Sequence, residues 1–138
     1  MSDEPISSDQ FKHEVEDACS ILTFYGFRRA MQFESDTEVV YLGKNVAFTF
    51  AFDFREQAVD LNVTRCRDGR PFDNWVGGYS CSLFLHLVEH KGFRGPLTPK
   101  DIPENASWSQ RMIAAEINLL NHPYSADLLA DKPDALPA

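Results

Sequence analysis

One stretch of the chain constrains the fold more than any other. Residues 46–54 read Val-Ala-Phe-Thr-Phe-Ala-Phe-Asp-Phe, so five apolar side chains alternate with small or polar ones. A period of two is typical of a β-strand with one buried face. Val59, Leu61 and Val63 continue the alternation after a short gap. The pattern predicts a central β-hairpin whose apolar face lies in the core.

Two further strands are predicted before this hairpin. If residues 34–37, 43–45 and 55–58 are turns, every strand keeps its apolar side chains on the same face, as a buried face requires. The expected facing pairs are Met31 with Val40, Phe33 with Glu38, Val40 with Phe48, Leu42 with Val46, Phe54 with Val59, Phe52 with Leu61 and Phe50 with Val63. The sequence therefore predicts a four-stranded antiparallel β-meander.

The opposite face of the meander is predicted to be mostly polar. Its side chains would be those of Gln32, Val39, Tyr41, Thr49, Asp53, Asp60, Asn62 and Thr64. The predicted register places Asp53 directly opposite Asp60, and like charges at facing positions destabilise a sheet unless a cation or water screens them. Two interpretations stay open: the pair serves a function, or strand twist turns both carboxylates into solvent.

Three helices are predicted around the sheet. Residues 7–10 and 107–110 each have the capping-box pattern, with Ser at the N-cap and Gln three residues later, and these segments open the first and third helices. Gly26 is expected to end the first helix. The second is expected over residues 79–90, where apolar side chains recur at helical spacing.

The chain is expected to form a single domain over residues 1–138. Three prolines indicate an extended connector at 93–104, and residues 1–6 and 131–138 are expected to be loose ends. The predicted fold class is α+β: the antiparallel meander is packed on one face by the N-terminal helix and the C-terminal helices.

Charge and composition limit the classes of partner. The formal net charge of −8 disfavours nucleic acid and anionic membranes and favours a basic protein, although simple solubility is the simpler explanation of the charge. The start of the chain lacks a signal-peptide pattern, and no apolar run is long enough to cross a membrane. Three widely spaced cysteines are typical of reduced thiols. These features predict a soluble, cytoplasmic protein.

Two groups of residues are candidates for chemistry. His86, Glu89 and His90 match the H-x-x-E-H pattern of the inverted zinc peptidases, in which two imidazoles bind zinc and the glutamate acts as base. The chain is far shorter than those enzymes, and both histidines fall on the flank of an apolar stripe, so we interpret them as a surface pair. Cys81 lies near a helix start within reach of either histidine; a half-buried, inert thiol is the simpler interpretation. No cofactor is predicted.

A protein-binding surface is the other candidate site. The polar sheet face and the loop at residues 67–78 combine carboxylates with large aromatic side chains, which are common at protein interfaces. The predicted partner-binding residues are Val39, Tyr41, Asp53, Asp60, Asn62, Phe72 and Trp75.

Several segments together resemble a known class of protein. A helix ending in Tyr25-Gly-Phe27, an aromatic strand running into the segment from Asp53 to Asp60, and a Tyr79-Ser-x-x-Leu83 helix resemble small bacterial proteins, several of them similar to immunity proteins of contact-dependent or polymorphic toxin systems. The resemblance covers residues 8–92 and transfers no functional residue. It implies a non-catalytic cytoplasmic inhibitor that occupies a toxin domain, often a basic nuclease.

Two other functions are alternatives to this one. The chain could serve as a homo-oligomeric adaptor, for example a homodimer formed through the exposed sheet face or an edge strand. It could also be a small metal- or thiol-dependent hydrolase that uses the region of His86, Glu89, His90 and Cys81.

Overall fold

The computed structural model of the chain describes residues 6–71, 78–95 and 106–137. Its helices are α1 (Ser8–Ala18), α2 (Ser20–Phe24), α3 (Leu83–Lys91), α4 (Trp108–Leu120) and α5 (Ala126–Leu129), with 3-10 helices at Met31–Phe33 and Pro123–Ser125. Its strands are β1 (Arg28–Arg29), β2 (Glu38–Leu42), β3 (Val46–Asp53), β4 (Ala58–Arg67), β5 (Arg70–Pro71) and β6 (Ser80–Ser82).

The strands form an antiparallel sheet in the order β1-β2-β3-β4-β5, and β6 also pairs with β4. The described side chains of the core form one cluster, in which the phenylalanines of β3 contact apolar residues of the helices. The predicted class, an α+β fold with an antiparallel meander packed against helices, is confirmed. The details of the strand register differ from the prediction at two turns and in the first strand.

The β3–β4 hairpin is offset by two residues from the predicted register. Phe52 lies opposite Val59 and Phe50 opposite Leu61, so the turn consists of residues 54–57. An offset of two keeps the same side chains in the core, because strand side chains alternate with a period of two. It does separate the predicted acidic pair: Asp53 faces Ala58 and Asp60 faces Ala51. The prediction that Asp53 faces Asp60 is therefore wrong.

The register of β2 differs from the prediction by one residue, which exchanges its two faces. Val39 lies opposite Phe50 and Tyr41 opposite Phe48, and both side chains are buried in the core. The prediction that Val39 and Tyr41 belong to an exposed binding face is wrong. The observed register buries the large Tyr41 ring, whose hydroxyl hydrogen-bonds with Cys19 of the α1–α2 junction.

The first strand also differs from the prediction. Residues 31–33 form a 3-10 helix, and the strand next to β2 is the two-residue β1, with Arg28 opposite Leu42. The Glu34 carboxylate accepts a hydrogen bond from the backbone N–H of Val40 at 3.0 Å. The Glu34 side chain thus accepts the hydrogen bond of the Val40 N–H that the backbone of a longer first strand would have accepted.

Capping side chains fix the helix starts. Ser7 and Ser107 accept hydrogen bonds from Gln10 N and Gln110 N, as the capping-box pattern predicts. Helix α3 begins at Leu83 rather than at the predicted residue 79, because residues 80–82 pair with β4 and Ser82 then caps the helix. No helix in the described ranges is long and apolar enough to cross a membrane.

The C-terminal segment is packed, contrary to the expectation of a loose end over residues 131–138. Ala135 and Leu136 are buried in the core cluster. Asp131 binds the β2–β3 turn through its carboxylate, and Arg65 of β4 donates to the Leu136 carbonyl at 3.1 Å. Most of the predicted connector lies outside the described residues, but Phe93 at its start is buried.

Candidate protein-binding surface

Two carboxylates lie at the end of the sheet where β3 turns into β4. Asp53 and Asp60 are both exposed, occupy the same face, and are diagonal neighbours because Asp53 faces Ala58. Asp53 Oδ1 accepts hydrogen bonds from the backbone N–H groups of Arg55 and Glu56, at 2.9 and 3.2 Å. Asp53 therefore orders the turn as well as contributing charge.

An exposed tryptophan lies against the same turn. Trp108, the first residue of α4, has an exposed fraction of 58%. Its indole Nε1 donates to the backbone carbonyl of Gln57 at 3.0 Å, and Gln57 Nε2 donates to the Phe54 carbonyl at 2.9 Å. These bonds hold a large aromatic face in a defined position beside the hairpin. Nothing in the local sequence around Trp108 predicts this contact, because Trp108 and Gln57 are 51 residues apart.

A third carboxyl group, that of Glu116 on α4, lies at the same end of the sheet. Burial, with a smaller contribution from Asp60, raises the pKa of Glu116 to about 8, while a hydrogen bond from the backbone of Leu61 acts in the opposite direction. Its Oε2 atom is buried and has no hydrogen-bond partner among the described residues. One signal was present in the sequence: Glu116 follows Ile113 by three residues, which places it beside the apolar stripe of α4.

We call the three exposed residues, Asp53, Asp60 and Trp108, the hairpin-end surface; Glu116 is not part of it because its carboxyl group is buried. The two carboxylates can pair with a cationic side chain, and the Trp108 indole is the kind of aromatic ring that attracts cations most strongly. Arg55 and Glu56, also exposed in the turn, contribute one charge of each sign. The arrangement is suited to binding a basic group, and none of its contacts requires bond-breaking chemistry.

The other predicted interface residues do not all lie on the hairpin-end surface. Asn62 lies on the same face as Asp60, opposite Thr49, and is half-buried. Val39 and Tyr41 belong to the core, as described above. Phe72 and Trp75 lie outside the described residues. The structure thus brings Asp53 and Asp60 to one surface with Asn62 next to them along β4.

The histidines form a partly buried cluster rather than the predicted surface pair. His86 is only 1% exposed and its Nδ1 atom lies 3.0 Å from the Tyr79 hydroxyl. The rings of His86 and His90 have centroids 5.0 Å apart, and His90 is exposed. Burial, followed by the effect of His90, lowers the pKa of His86 to about 4. His86 is inward because it follows the buried Leu83 by three residues and directly precedes the buried Leu87, so all three lie on the packed side of α3.

The three thiols lie on different elements of the fold. Cys81 lies in β6, opposite Val63, and is half-buried. Cys19 and Cys66 are buried, and burial raises the pKa of each thiol to about 12. No group of three His, Cys, Asp or Glu side chains in the described ranges is placed to hold a metal ion.

Relatives give no information about the hairpin-end surface. Comparisons with known protein families, with curated proteins and with solved structures give no match for this chain. The resemblance to immunity proteins stays a prediction from the sequence.

Proposed function

We propose that the protein is a non-catalytic, cytoplasmic binding protein of the immunity type, and that the hairpin-end surface binds a basic toxin domain. The observation that carries the proposal is the position of Trp108, which is 58% exposed and yet tied to the hairpin turn. An aromatic side chain that is already held in place loses little conformational freedom when it binds. Tryptophan is also among the residues most enriched at energetically important interface positions.

Charge supports the same partner class. The chain carries a formal net charge of −8, and Asp53 and Asp60 are exposed at the end of the hairpin whose turn Trp108 contacts. A negative field accelerates association with a basic protein and gives it a strong dependence on salt. An immunity protein needs only to occupy or cover the active site of its toxin, so the proposal requires no catalytic residue here.

Co-expression with a toxin domain tests the proposal. The domain to use is the C-terminal domain of a secreted toxin encoded beside the gene for this protein. Expression of that domain alone is expected to stop growth, and co-expression of the wild-type protein is expected to restore it. Absence of such a neighbouring gene, or continued growth arrest with abundant folded protein, would contradict the immunity function.

Surface variants test the location of the interface. The triple variant Asp53→Asn/Asp60→Asn/Trp108→Ala is expected to lose protection, whereas Asp36→Asn/Asp134→Asn removes the same charge from exposed positions elsewhere and is expected to protect fully. Asparagine at residue 53 can still accept the turn hydrogen bonds. Protection by the triple variant would place the interface on another surface.

A homo-oligomeric adaptor is the alternative function, and one observation favours it. Phe24 is 82% and Tyr25 49% exposed, and their rings pack edge to face with centroids 5.3 Å apart. Such an exposed aromatic pair can be covered by a second copy of the chain. Sedimentation at micromolar concentration measures this directly: a dimer that Phe24→Ser converts to a monomer supports the alternative, and a wild-type monomer contradicts it.

A further inference from the structure

The Tyr79 hydroxyl joins α3 to the sheet through one buried imidazole. The backbone carbonyl of Tyr79 accepts the N–H of Arg65 at 2.9 Å, which fixes Tyr79 to β4. Its hydroxyl then lies 3.0 Å from His86 Nδ1 in the middle of α3. Because His86 is 1% exposed, this hydrogen bond forms inside the packed layer between helix and sheet.

The other nitrogen of His86 offers no place for a second proton: the neutral ring carries a single N–H, which Nδ1 can donate to the Tyr79 oxygen. Nε2 is buried and has no hydrogen-bond partner among the described residues. A protonated imidazole donates from both nitrogens, so the second N–H and the charge would both remain unsatisfied. The neighbouring His90 ring, 5.0 Å away between centroids, adds repulsion whenever it is charged too.

The charged groups around His86 do not offset the free-energy cost of protonating its buried ring. The pKa of His86 is lowered to about 4, first by burial and then by His90, with Lys91 acting in the same direction and Asp127 of α5 against it. Asp127 is itself bound to Lys91, with Nζ and Oδ2 2.9 Å apart.

Titratable groups on the other elements packed around α3 have contacts of their own. The hydroxyl of Tyr79 also hydrogen-bonds with Cys81 of β6, Glu116 of α4 accepts from the Leu61 backbone, Arg65 of β4 donates to Leu136, and His122 beside the second 3-10 helix accepts from the Tyr124 backbone. Arg67 of β4 and Arg111 of α4 are exposed. These elements supply no described acceptor for a proton on His86 Nε2.

We propose that the Tyr79–His86 contact is an acid-weakened latch, which holds α3 against the sheet at neutral pH and is released more often as the pH falls from 7 to 5. Opening exposes the imidazole to water, where it binds a proton near its ordinary pKa of 6.5. The closed form excludes that proton until about pH 4. Between about pH 4 and pH 6.5, each opening event therefore takes up a proton, so acid increases the fraction of molecules in which α3 is released. The same opening would expose the buried Leu83 and Leu87 of α3.

Native-state hydrogen exchange of the full chain tests the latch. After correction for the intrinsic pH dependence of exchange, the open fraction at Leu87 is expected to rise about twentyfold between pH 7 and 5, from uptake of one proton. Phe50 in β3 is the internal control and is expected to change much less. Equal changes at Leu87 and Phe50, or no change at Leu87, would overturn the latch.

Two variants and one titration complete the test. His86→Gln is expected to abolish the pH dependence at Leu87, while His13→Gln, at an exposed position on α1, is expected to leave it intact. If His86→Gln fails to fold, the proton NMR titration of the His86 ring in the wild-type protein decides. A midpoint near pH 4 supports the proposal, and a midpoint above pH 6 overturns it.

Discussion

Asn45 donates two hydrogen bonds to Asp131, although the two residues are 86 positions apart in the chain. The backbone N–H of Asn45 donates to Asp131 Oδ1 at 2.8 Å, and the Asn45 side-chain amide donates to the Asp131 backbone carbonyl at 2.8 Å. The N–H of Val46 binds the same Oδ1 at 2.9 Å, and the N–H of Lys44 binds Oδ2. One carboxylate therefore satisfies three successive backbone donors and attaches the C-terminal segment to the β2–β3 turn.

Replacement of Asp131 by alanine is expected to destabilise the protein. Hydrogen bonds to a charged acceptor are stronger than neutral ones, and their loss leaves partly buried donors unsatisfied, so we expect a decrease of about 2 to 3 kcal/mol in the free energy of unfolding. Urea denaturation at pH 7 measures this. Asp134→Ala, three residues away and exposed, is the control. Equal stability of the two variants would show that the turn does not depend on Asp131.

A Gly43→Ala substitution tests the contact between the β2–β3 turn and the C-terminal segment by steric means. A Cβ atom at residue 43 would lie 2.6 Å from Phe27 Cε1 and 2.7 Å from Asp131 Oδ2. Both are too close, so the turn or the C-terminal segment must shift, at an expected cost of about 1 to 3 kcal/mol in unfolding free energy. The double variant Gly43→Ala/Asp131→Ala removes one of the two clashing groups. Its destabilisation is expected to be less than the sum of the single effects, and full additivity would contradict the shared contact.

The attachment of the C-terminal segment to the β2–β3 turn explains why the sequence alone did not show which face of β2 is buried. Val39 and Tyr41 on one face and Val40 and Leu42 on the other are all apolar, so either register satisfies the hydrophobic pattern. The turn length decides between them: residues 43–46 form the turn, with Leu42 opposite Ala47. Asp131 binds that turn, and nothing in the sequence around the turn indicates this contact. The strongly alternating β3, by contrast, was predictable from its period alone.

The hairpin-end surface was predictable only in part for the same reason. Asp53 and Asp60 stand at polar positions of an alternating pattern, so their exposure on one face follows from the sequence. Trp108 joins them through a hydrogen bond between α4 and the hairpin, which no sequence period encodes. The inward position of His86 shows a similar limit, since its helix carries apolar side chains on more than one side and the wheel does not identify the buried one.

Glu34 is expected to be important for stability at the β1–β2 junction. Its side chain is 3% exposed and binds Arg29 through two hydrogen bonds, of 2.9 and 3.0 Å, besides the N–H of Val40. Burial alone would raise the pKa of Glu34, but the hydrogen bonds from Arg29 and Val40 lower it below its ordinary value of 4.5. The stabilisation is therefore complete above pH 4.5 and is lost as the pH falls through the lower folded-state pKa.

Glu34→Ala is expected to reduce the free energy of unfolding by about 3 kcal/mol at pH 7, because it leaves a partly buried guanidinium without its main partner. Glu38→Ala is a control at a neighbouring, less buried carboxylate. The difference between wild type and Glu34→Ala should shrink as urea denaturation is repeated toward pH 3. A difference that is independent of pH would show that the charge of Glu34 contributes little.

If the hairpin-end surface binds a toxin domain as proposed, Trp108→Ala is expected to weaken that binding more than tenfold, with little change in stability, since the ring is 58% exposed. Calorimetric titration at two salt concentrations measures both the affinity and its electrostatic part. Asp53→Asn/Asp60→Asn is expected to reduce the salt dependence as well as the affinity. An unchanged affinity for Trp108→Ala would remove this residue from the interface.

Glu116 provides a prediction that needs no partner. Its pKa of about 8 in the folded protein is well above the ordinary value of 4.5, so between these limits the folded state holds a proton that the unfolded state releases. Its contribution to stability is therefore greatest at low pH and falls as the pH rises from 4.5 to 8. Glu116→Gln, which resembles the protonated form, lacks this dependence.

The free energy of unfolding of the wild type minus that of the variant should decrease by at most about 1.4 kcal/mol per pH unit, from one proton. Urea denaturation between pH 5 and 8.5 measures the difference, with Glu56→Gln at the exposed turn as the control. Parallel pH profiles for wild type and Glu116→Gln would mean that Glu116 is already ionised in the folded protein.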